Sequence, residues 1–201
     1  MLTFKRLPDK QPYNLKVITP ATIDPVTLAE TKTFSRITGG IEDDLLTSLI
    51  TAATKKAENY CGSGFINRTL RMTMDCSPWG SFLELPIGPL VSISDIKSVD
   101  DDDSENTFDT SNYYIANSDD TYLTGVQLKN GSSWPTDLRD KDAFFVEFVA
   151  GFGASQDDIP DIIKTAIKII VEDLNENREN VRGDIPRMAK DLLNDYKNFR
   201  I

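Results

Sequence analysis

Apolar side chains recur along this chain first with a helical period, then with a period of two, then with a helical period again. Residues 1–20 precede the first periodic stretch and read as an extended N-terminal arm punctuated by Pro8, Pro12 and Pro20. Proline fixes φ and removes a backbone donor, which disfavours helix there. The one apolar run in the arm, Leu15-Lys16-Val17-Ile18, suits a strand added to a sheet edge or laid across a neighbouring molecule. Asp24-Pro25 then predicts a helix start, with Asp24 as the cap and Pro25 in the first helical position. This helix is expected to reach about Ile37, to use Val26, Leu28, Phe34 and Ile37 as apolar contacts, and to stop at Gly39-Gly40. A second helix is expected from Glu42, where Glu42, Asp43 and Asp44 complement the positive end of the helix dipole. Leu45, Leu49, Ala53 and Ala57 fall on one i, i+4 row with Leu46, Ile50 and Tyr60 beside it, and Gly62 is placed to cap the end. Ala52, Ala53 and Ala57 leave room for another helix to approach closely.

From Asn67 the period changes to two. Leu70, Met72 and Met74 alternate with Arg71, Thr73 and Asp75, the pattern of a strand with one buried face. Further strands are expected at 82–85, 91–99, 113–116, 122–128 and 143–149, divided by turn residues such as Pro86, Gly88 and Pro89 and by an acidic loop after Val99. Helix then returns. Pro160 is expected at a first helical position, with Ile163, Ile167, Ile170, Val171 and Leu174 forming a broad apolar face towards Arg178. A polar connector leads to Pro186, and Met188, Leu192, Leu193 and Tyr196 are spaced as one face of a short closing helix. Strands bracketed by helices predict an α+β protein: a helical bundle formed by the N- and C-terminal helices with an inserted antiparallel β-sheet or barrel-like module. The expected division is the arm at 1–20, a helical core from 21–66 and 150–201 that ends in a C-terminal arm, and the β module at 67–149.

Composition narrows the chemistry. The 201 residues suffice for one generous domain or two small ones, and 39% of them are hydrophobic with no run approaching the ~20 apolar residues of a membrane helix. The polar opening MLTFKRLPDKQPYNLKVITP lacks a signal-peptide pattern, so residence in a cytosol is expected. Asp and Glu number 32 against 22 Lys and Arg, a formal charge of −10, and the basic residues are scattered. Gripping nucleic acid needs a basic stripe, so DNA binding is not the expected task. A ring of such acidic subunits around a duplex would instead repel it from the wall. Histidine is absent, which removes the commonest general base and metal ligand and every Ser-His or Cys-His nucleophile system. Cys61 and Cys76 have no zinc-site spacing and read as buried free thiols.

The remaining chemical candidates have plainer readings. Asp100-Asp101-Asp102-Asp103-Ser104-Glu105 clusters carboxylates that suit Ca²⁺ or Mg²⁺, but it lacks the alternating ligands and central glycine of a calcium loop and reads as a solvated loop. Asp119-Asp120 and Asp157-Asp158 are read the same way. Gly151-Phe152-Gly153 lies between strand and helix without a phosphate-loop pattern, and reads as a turn that needs positive φ. No carboxylate pair stands out for glycosidase chemistry, so an enzyme is not expected, although a carboxylate-dependent hydrolase is the reading from another class. Trp79 and Trp134, each beside turn residues, suit anchoring of a carbohydrate or a protein, or covering the end of a small sheet. Tyr196, Phe199 and Ile201 suit either packing of the last helix onto the core or an arm that orders on insertion into another protein.

Three stretches resemble one family, the head-tail connector (adaptor, or head-completion) proteins of tailed bacteriophages. LKVITPATIDPVTLAETKTFSRI at 15–37 is similar to the family's opening "TPP…EPVSLAEAKAHLRV" pattern. The acidic start, LLTSLITAA and Glu58 within 42–60 resemble its second helix. FFVEFVAGFGASQDDIPDIIKTAIKIIVEDLNENREN at 144–180 resembles an ending "FTAGYG…VPxxIKxAILxLVxxxYENRE", and Glu176-Asn177-Arg178-Glu179 matches its close almost literally. Trp134-Pro135 and Leu85-Pro86 sit where the family tends to have such pairs. Phe34-Ser35-Arg36 and Val171-Glu172-Asp173-Leu174 depart from the pattern, and the Asp-rich loop is an elaboration, so contacts to specific neighbours do not transfer.

The resemblance implies a structural virion protein with no cofactor and no metal. Such proteins form a ring, commonly a dodecamer, on the portal after genome packaging. The ring extends the DNA channel, through which DNA passes without sequence-specific binding, and offers a docking surface to a stopper or tail protein. The implied location is the neck at the head-tail junction, reached from the host cytoplasm during assembly, with no membrane partner. A tail-completion or stopper protein is the neighbouring alternative. On this reading Met188, Leu192, Tyr196, Phe199 and Ile201 are expected to engage the portal, and Leu15, Val17 and Ile18 to contact an adjacent subunit. Deleting 187–201 is expected to abolish portal binding without unfolding the helical core.

Overall fold

The structure, a computed structural model, describes residues 11–116, 124–177 and 184–197. Among them the chain forms four α-helices and eight strands arranged as helix, strand, helix, with strand β1 (Asn14–Thr19) ahead of all of them. Helices α1 (Leu28–Phe34) and α2 (Asp43–Cys61) precede the strands β2 (Arg68–Met74), β3 (Phe82–Glu84), β4 (Leu90–Val99), β5 (Glu105–Thr107), β6 (Tyr113–Ala116), β7 (Gly125–Leu128) and β8 (Phe144–Ala150). Helices α3 (Asp161–Glu176) and α4 (Arg187–Leu193) follow. The α+β class holds, but the strands build two antiparallel sheets, and neither closes into a barrel.

The first helix begins later and ends earlier than Asp24-Pro25 and Gly39-Gly40 suggest. Thr27, not Asp24, is its cap: Glu30 N–H donates to Thr27 Oγ1 at 3.1 Å while Thr27 N–H donates to Glu30 Oε2 at 2.8 Å. This reciprocal pair satisfies two backbone or side-chain demands at once, which a lone aspartate with a following proline does not. Asp24 instead accepts from the Thr51 hydroxyl at 2.8 Å. At the other end Arg36 takes φ 54, and Ile37 N–H reaches back to Lys32 O and Arg36 N–H to Thr33 O. That 6→1 and 5→2 pairing ends the helix at Phe34, short of the first glycine, Gly39. The Thr27 backbone and hydroxyl lower the Glu30 carboxyl pKa below its ordinary 4.5. A depressed folded-state value contributes stability above the unfolded pKa that is lost as pH falls through the folded one. Unfolding free energies of wild type and Glu30→Gln, read from urea titrations, should therefore differ by up to about 1 kcal/mol at neutral pH and converge as the pH falls below 4.5. A gap that persists at acid pH would remove the Glu30 charge from the account.

Helix α2 matches its expectation closely and ends at Gly62 in the left-handed conformation, φ 65. Its buried stripe is Leu46, Ile50, Ala53, Ala57 and Cys61, so Leu45 falls on the solvent side of the expected row. On α3 the buried face is Ile163, Ala166, Ile167, Ile170 and Val171, as the spacing predicts, with Pro160 just outside the helix as its cap residue. Packing α2, α3 and α4 together with Val26, Phe65 and Ile66 makes one core. Each of its fully buried aliphatic side chains contributes about 1.5–3 kcal/mol relative to exposure.

The second core lies between the sheets. The larger sheet has the order β1-β2-β8-β4-β5, and the smaller β3-β7-β6 covers its inner face. Leu70, Met72 and Met74 of β2 stand opposite Phe148, Val146 and Phe144 of β8, which places six buried apolar side chains on that face. The opposite face carries the cross-strand pair Arg71–Glu147, joined at 2.8 and 2.5 Å, with the Arg71 guanidinium 4.5 Å from the centre of the Phe145 ring. One expectation changes here and one pair of alternatives is decided. Residues 105–107, expected in or beside an acidic loop, pair with β4 as strand β5, and 15–18 take the sheet-edge alternative by pairing with β2 of their own chain. In both cases an available sheet edge, which local sequence does not display, decides the conformation.

The two halves meet where the chain crosses between them. Ser63 bridges to Gly88 and Ile66 to Gly153, while Phe152 N–H donates to Phe65 O at 2.8 Å. Gly151, at φ 151, packs so closely that a Cβ there would stand 2.6 Å from Asn67 N. The glycine turn is thus a junction between the helical core and the sheets.

Candidate assembly surface

The carboxylate clusters turn inward on their own backbone. Asp100 accepts from Ser104 N–H at 2.9 Å, Asp102 N–H at 3.1 Å and Asn106 Nδ2 at 3.0 Å, and these donors, led by the Ser104 backbone, lower its pKa. Asp103, in the left-handed region at φ 62, accepts from Arg139 at 3.0 Å. Asp158 accepts from Ser155 N–H at 2.9 Å and closes a short capping turn. Asp119 and Asp120 lie outside the described residues. Among the described residues no three carboxylate or thiol groups come together as a metal cluster.

The cysteines part company. Cys61 is fully buried, and burial, followed by the charge of Glu58, pushes its thiol up to about 12, so it stays protonated. Cys76 is exposed, contrary to the expectation of two buried thiols, because it lies two residues beyond the end of β2 in the turn that holds Gln11. The tryptophans divide as well. Trp134 covers the sheet core, donates from Nε1 to Gly80 O at 2.8 Å and meets the Phe144 ring edge-on at 5.6 Å. Trp79 stays exposed beside the Gln11 side chain, which accepts from its backbone N–H.

Side chains expected to make contacts between proteins lie at two places. On α4, Met188 is 64% exposed, whereas Leu192 packs partly on the helical core. Tyr196 does the same, its ring edge-on to Phe152 at 5.9 Å. Phe199 and Ile201 lie outside the described residues. Along β1, Leu15 packs against the sheet core while Val17 and Ile18 are 48% and 41% exposed. The two sets are not brought into one patch by a shared element, since β1 pairs only with β2 among the described strands.

Several exposed apolar side chains had no expected role. Ile41 is fully exposed, and Ile23, Val91, Tyr114 and Ile162 are also open to solvent. Ile41 had a legible signal, an isolated isoleucine between Gly39-Gly40 and three acids, where no periodic face can claim it.

A cleft lies between β1 and the end of α2. It has a volume of about 640 Å³, apolar walls from Leu15, Val17, Leu70 and Ile87, and Glu58, Tyr60 and Lys197 on its polar side. Among the described residues that line it Glu58 is the only carboxylate, and it is engaged, accepting from the Arg68 guanidinium and from Phe65 N–H at 3.0 Å. One neutralised carboxylate beside an apolar wall offers a contact surface and no acid-base pair.

Comparison with known proteins gives a consistent answer. Residues 25–76 match the family described as the phage gp6-like head-tail connector protein, a family of structural proteins. No curated protein matches the chain. Among solved structures, a chain in the virion of a native gene transfer agent particle is 22% identical with a TM-score of 0.77, covering 93% of this chain and 96% of that one. A chain from the neck of the empty particle, at C6 symmetry, is 23% identical with a TM-score of 0.78 and coverage of 94% and 97%. A chain from the neck of the native particle, at C12 symmetry, is 21% identical with a TM-score of 0.75 and coverage of 95% and 97%. Residues 25–76 are therefore similar to the head-tail connector family, and the fold of nearly the whole chain is that of these particle chains.

Proposed function

We propose that this protein is a structural head-tail connector whose copies stand side by side as a ring on a portal protein. The ring extends the DNA channel and presents the surface on which a stopper or tail protein docks. The observation that carries this reading is a fold shared over nearly the whole chain with chains in particle necks, joined to the family match at 25–76. A ring of twelve is the expected stoichiometry, because both C6 and C12 symmetry are compatible with it. Its place is the neck of the particle, reached through the host cytoplasm during assembly. A charge of −10 per subunit lets the duplex pass without adhering, since an acidic wall repels phosphates.

Two surfaces divide the contacts in this proposal. Met188, Leu192, Tyr196, Phe199 and Ile201 face the portal, and Leu15, Val17 and Ile18 lie towards the neighbouring subunit. Exposure of Met188, Val17 and Ile18 supports the assignment, while Leu192 and Tyr196 add the base on which the exposed groups stand. The proposed domain division keeps these roles apart, with the β module at 67–149 pointing away from the helical core that docks.

Mixing the purified protein with its cognate portal and imaging the product by electron microscopy tests the function. A closed ring of about twelve copies on the portal is expected. Met188→Asp should weaken ring loading at least tenfold in the same assay while leaving the thermal midpoint unchanged. Absence of any ring on a portal that is itself well formed would overturn the reading.

A further inference from the structure

The larger sheet has two open edges, and they differ in charge. Among the described strands β1 pairs only with β2 and β5 only with β4, so each leaves one side of its backbone unpaired. β5 covers only Lys97–Val99 of β4, and the earlier part of β4 shares that edge. Leu15 packs on the sheet core, so Lys16 lies on the opposite, outer face. There the registers place Lys16 beside Arg71, Arg71 beside Glu147 and Glu147 beside Asp95, one row of two cations followed by two anions. The middle pair is satisfied internally, since Arg71 and Glu147 are joined at 2.5 Å. The ends of the row are not. Lys16 is exposed and has no ion-pair partner among the described residues. At the far end Lys97 meets both Asp95 and Glu105 at 3.3 Å, so two carboxylates share one ammonium and a negative charge is left over. Five strands put Lys16 and Glu105 roughly 19 Å apart, more than twice the ~8 Å over which exposed charges act at physiological salt. The two ends therefore do not satisfy each other within one subunit.

We propose that the β1 edge of one subunit lies along the β4–β5 edge of the next, with Lys16 facing Glu105 and Asp95. This pairing rests on the ring reading and names the surface that β1 meets. Charge selects the arrangement. β1 against β1 would set Lys16 beside Lys16, and β5 against β5 would set Glu105 beside Glu105, whereas β1 against β5 brings unlike charges together. A contact between two different patches of one chain is head-to-tail, the kind that closes into rings. Apolar groups accompany the charges on both sides: Val17 and Ile18 are 48% and 41% exposed on one edge, and Val91 is 49% exposed on the other. An open strand edge is a standing template for pairing with another chain, and covering each edge with the next subunit removes that hazard.

Charge reversal tests the pairing on the cognate portal. Lys16→Glu and Glu105→Lys should each lower the yield of closed rings at least tenfold by electron microscopy. An equimolar mixture of the two variants should restore the wild-type yield, because in alternation every β1 edge again meets an unlike β5 edge. Single variants that assemble like wild type would overturn the proposal. So would a mixture that stays without rings while both variants keep the wild-type thermal midpoint. Cross-linking decides the case without reversing any charge. Lys16→Cys with Glu105→Cys in a Cys76→Ser background, joined on the assembled ring by a short bis-maleimide, should give a ladder of linked subunits on denaturing gels. Lys16→Cys alone should stay monomeric on the same gels. A missing ladder, or dimers from Lys16→Cys alone, would rule the edge pairing out while leaving the connector reading in place. Wild-type protein that forms no ring on a well-formed portal removes the connector reading, and the edge pairing with it.

Discussion

Phe148→Ala should cost about 3–5 kcal/mol of folding stability, the largest loss expected from a single truncation in the sheets. Phe148 is fully buried on the central strand β8, opposite Leu70 on one side and Ile93 on the other. Neighbouring β2 and β4 are held by that strand, so the cavity cannot be filled by a small movement of one edge. A rigid surround keeps the cavity open, and an open cavity adds to the lost transfer energy. Phe145 provides the internal comparison, since it lies on the opposite face beneath Arg71. Phe145→Ala should lose less, because the long Arg71 side chain can settle into the space while its head stays hydrated. Urea unfolding of both variants decides the matter. Equal losses would mean that the two faces of β8 are buried by comparably rigid neighbours.

Removing α4 should unfold the helical core, which reverses the expectation that residues 187–201 are dispensable for folding. Ala189 and Leu193 of α4 are fully buried in the core shared with α2 and α3. Leu193→Ala alone should cost about 2–5 kcal/mol, and loss of the whole helix would expose that core as well. A binding defect in the 187–201 deletion therefore cannot separate docking from folding. Removal of 198–201 alone takes away none of the buried residues of α4 and should leave the helical circular dichroism signal intact. Urea midpoints and helical signal for the two truncations, measured side by side, give the check. A deletion of 187–201 that retained the wild-type midpoint would show that α4 is an accessory.

Much of this architecture was legible because periodicity reports which face of an element meets a core. The three-residue and four-residue spacing in 45–61 and 161–176 and the alternation in 68–74 identified α2, α3 and β2 with little error. Where the sequence misled, a competing local interaction had won. Thr27 and Glu30 out-competed Asp24 for the start of α1, and a positive φ at Arg36 ended it before Gly39. The candidate surface was only half legible. Apolar residues in the last twenty positions stood out, yet the depth to which Tyr196 packs against Phe152 depends on a residue over forty positions away in sequence. Val17 and Ile18 were readable as an edge strand, but not which edge they would join.

The amino-acid order alone determined the class of fold, the helical and stranded stretches, the acidic balance, the lack of histidine chemistry and the resemblance to connector proteins. These properties are local or additive, so each is written within a few neighbouring residues or in a sum over all of them. Only the tertiary structure decided that β1 and β5 complete a five-stranded sheet, that Cys76 and Trp79 face solvent, and that α4 belongs to the core. It also created the cleft beside Tyr60, whose walls come from β1, β2, the segment after β3 and the end of α2. Burial and pairing arise from distances between residues far apart in the chain, and no short stretch of sequence contains that information.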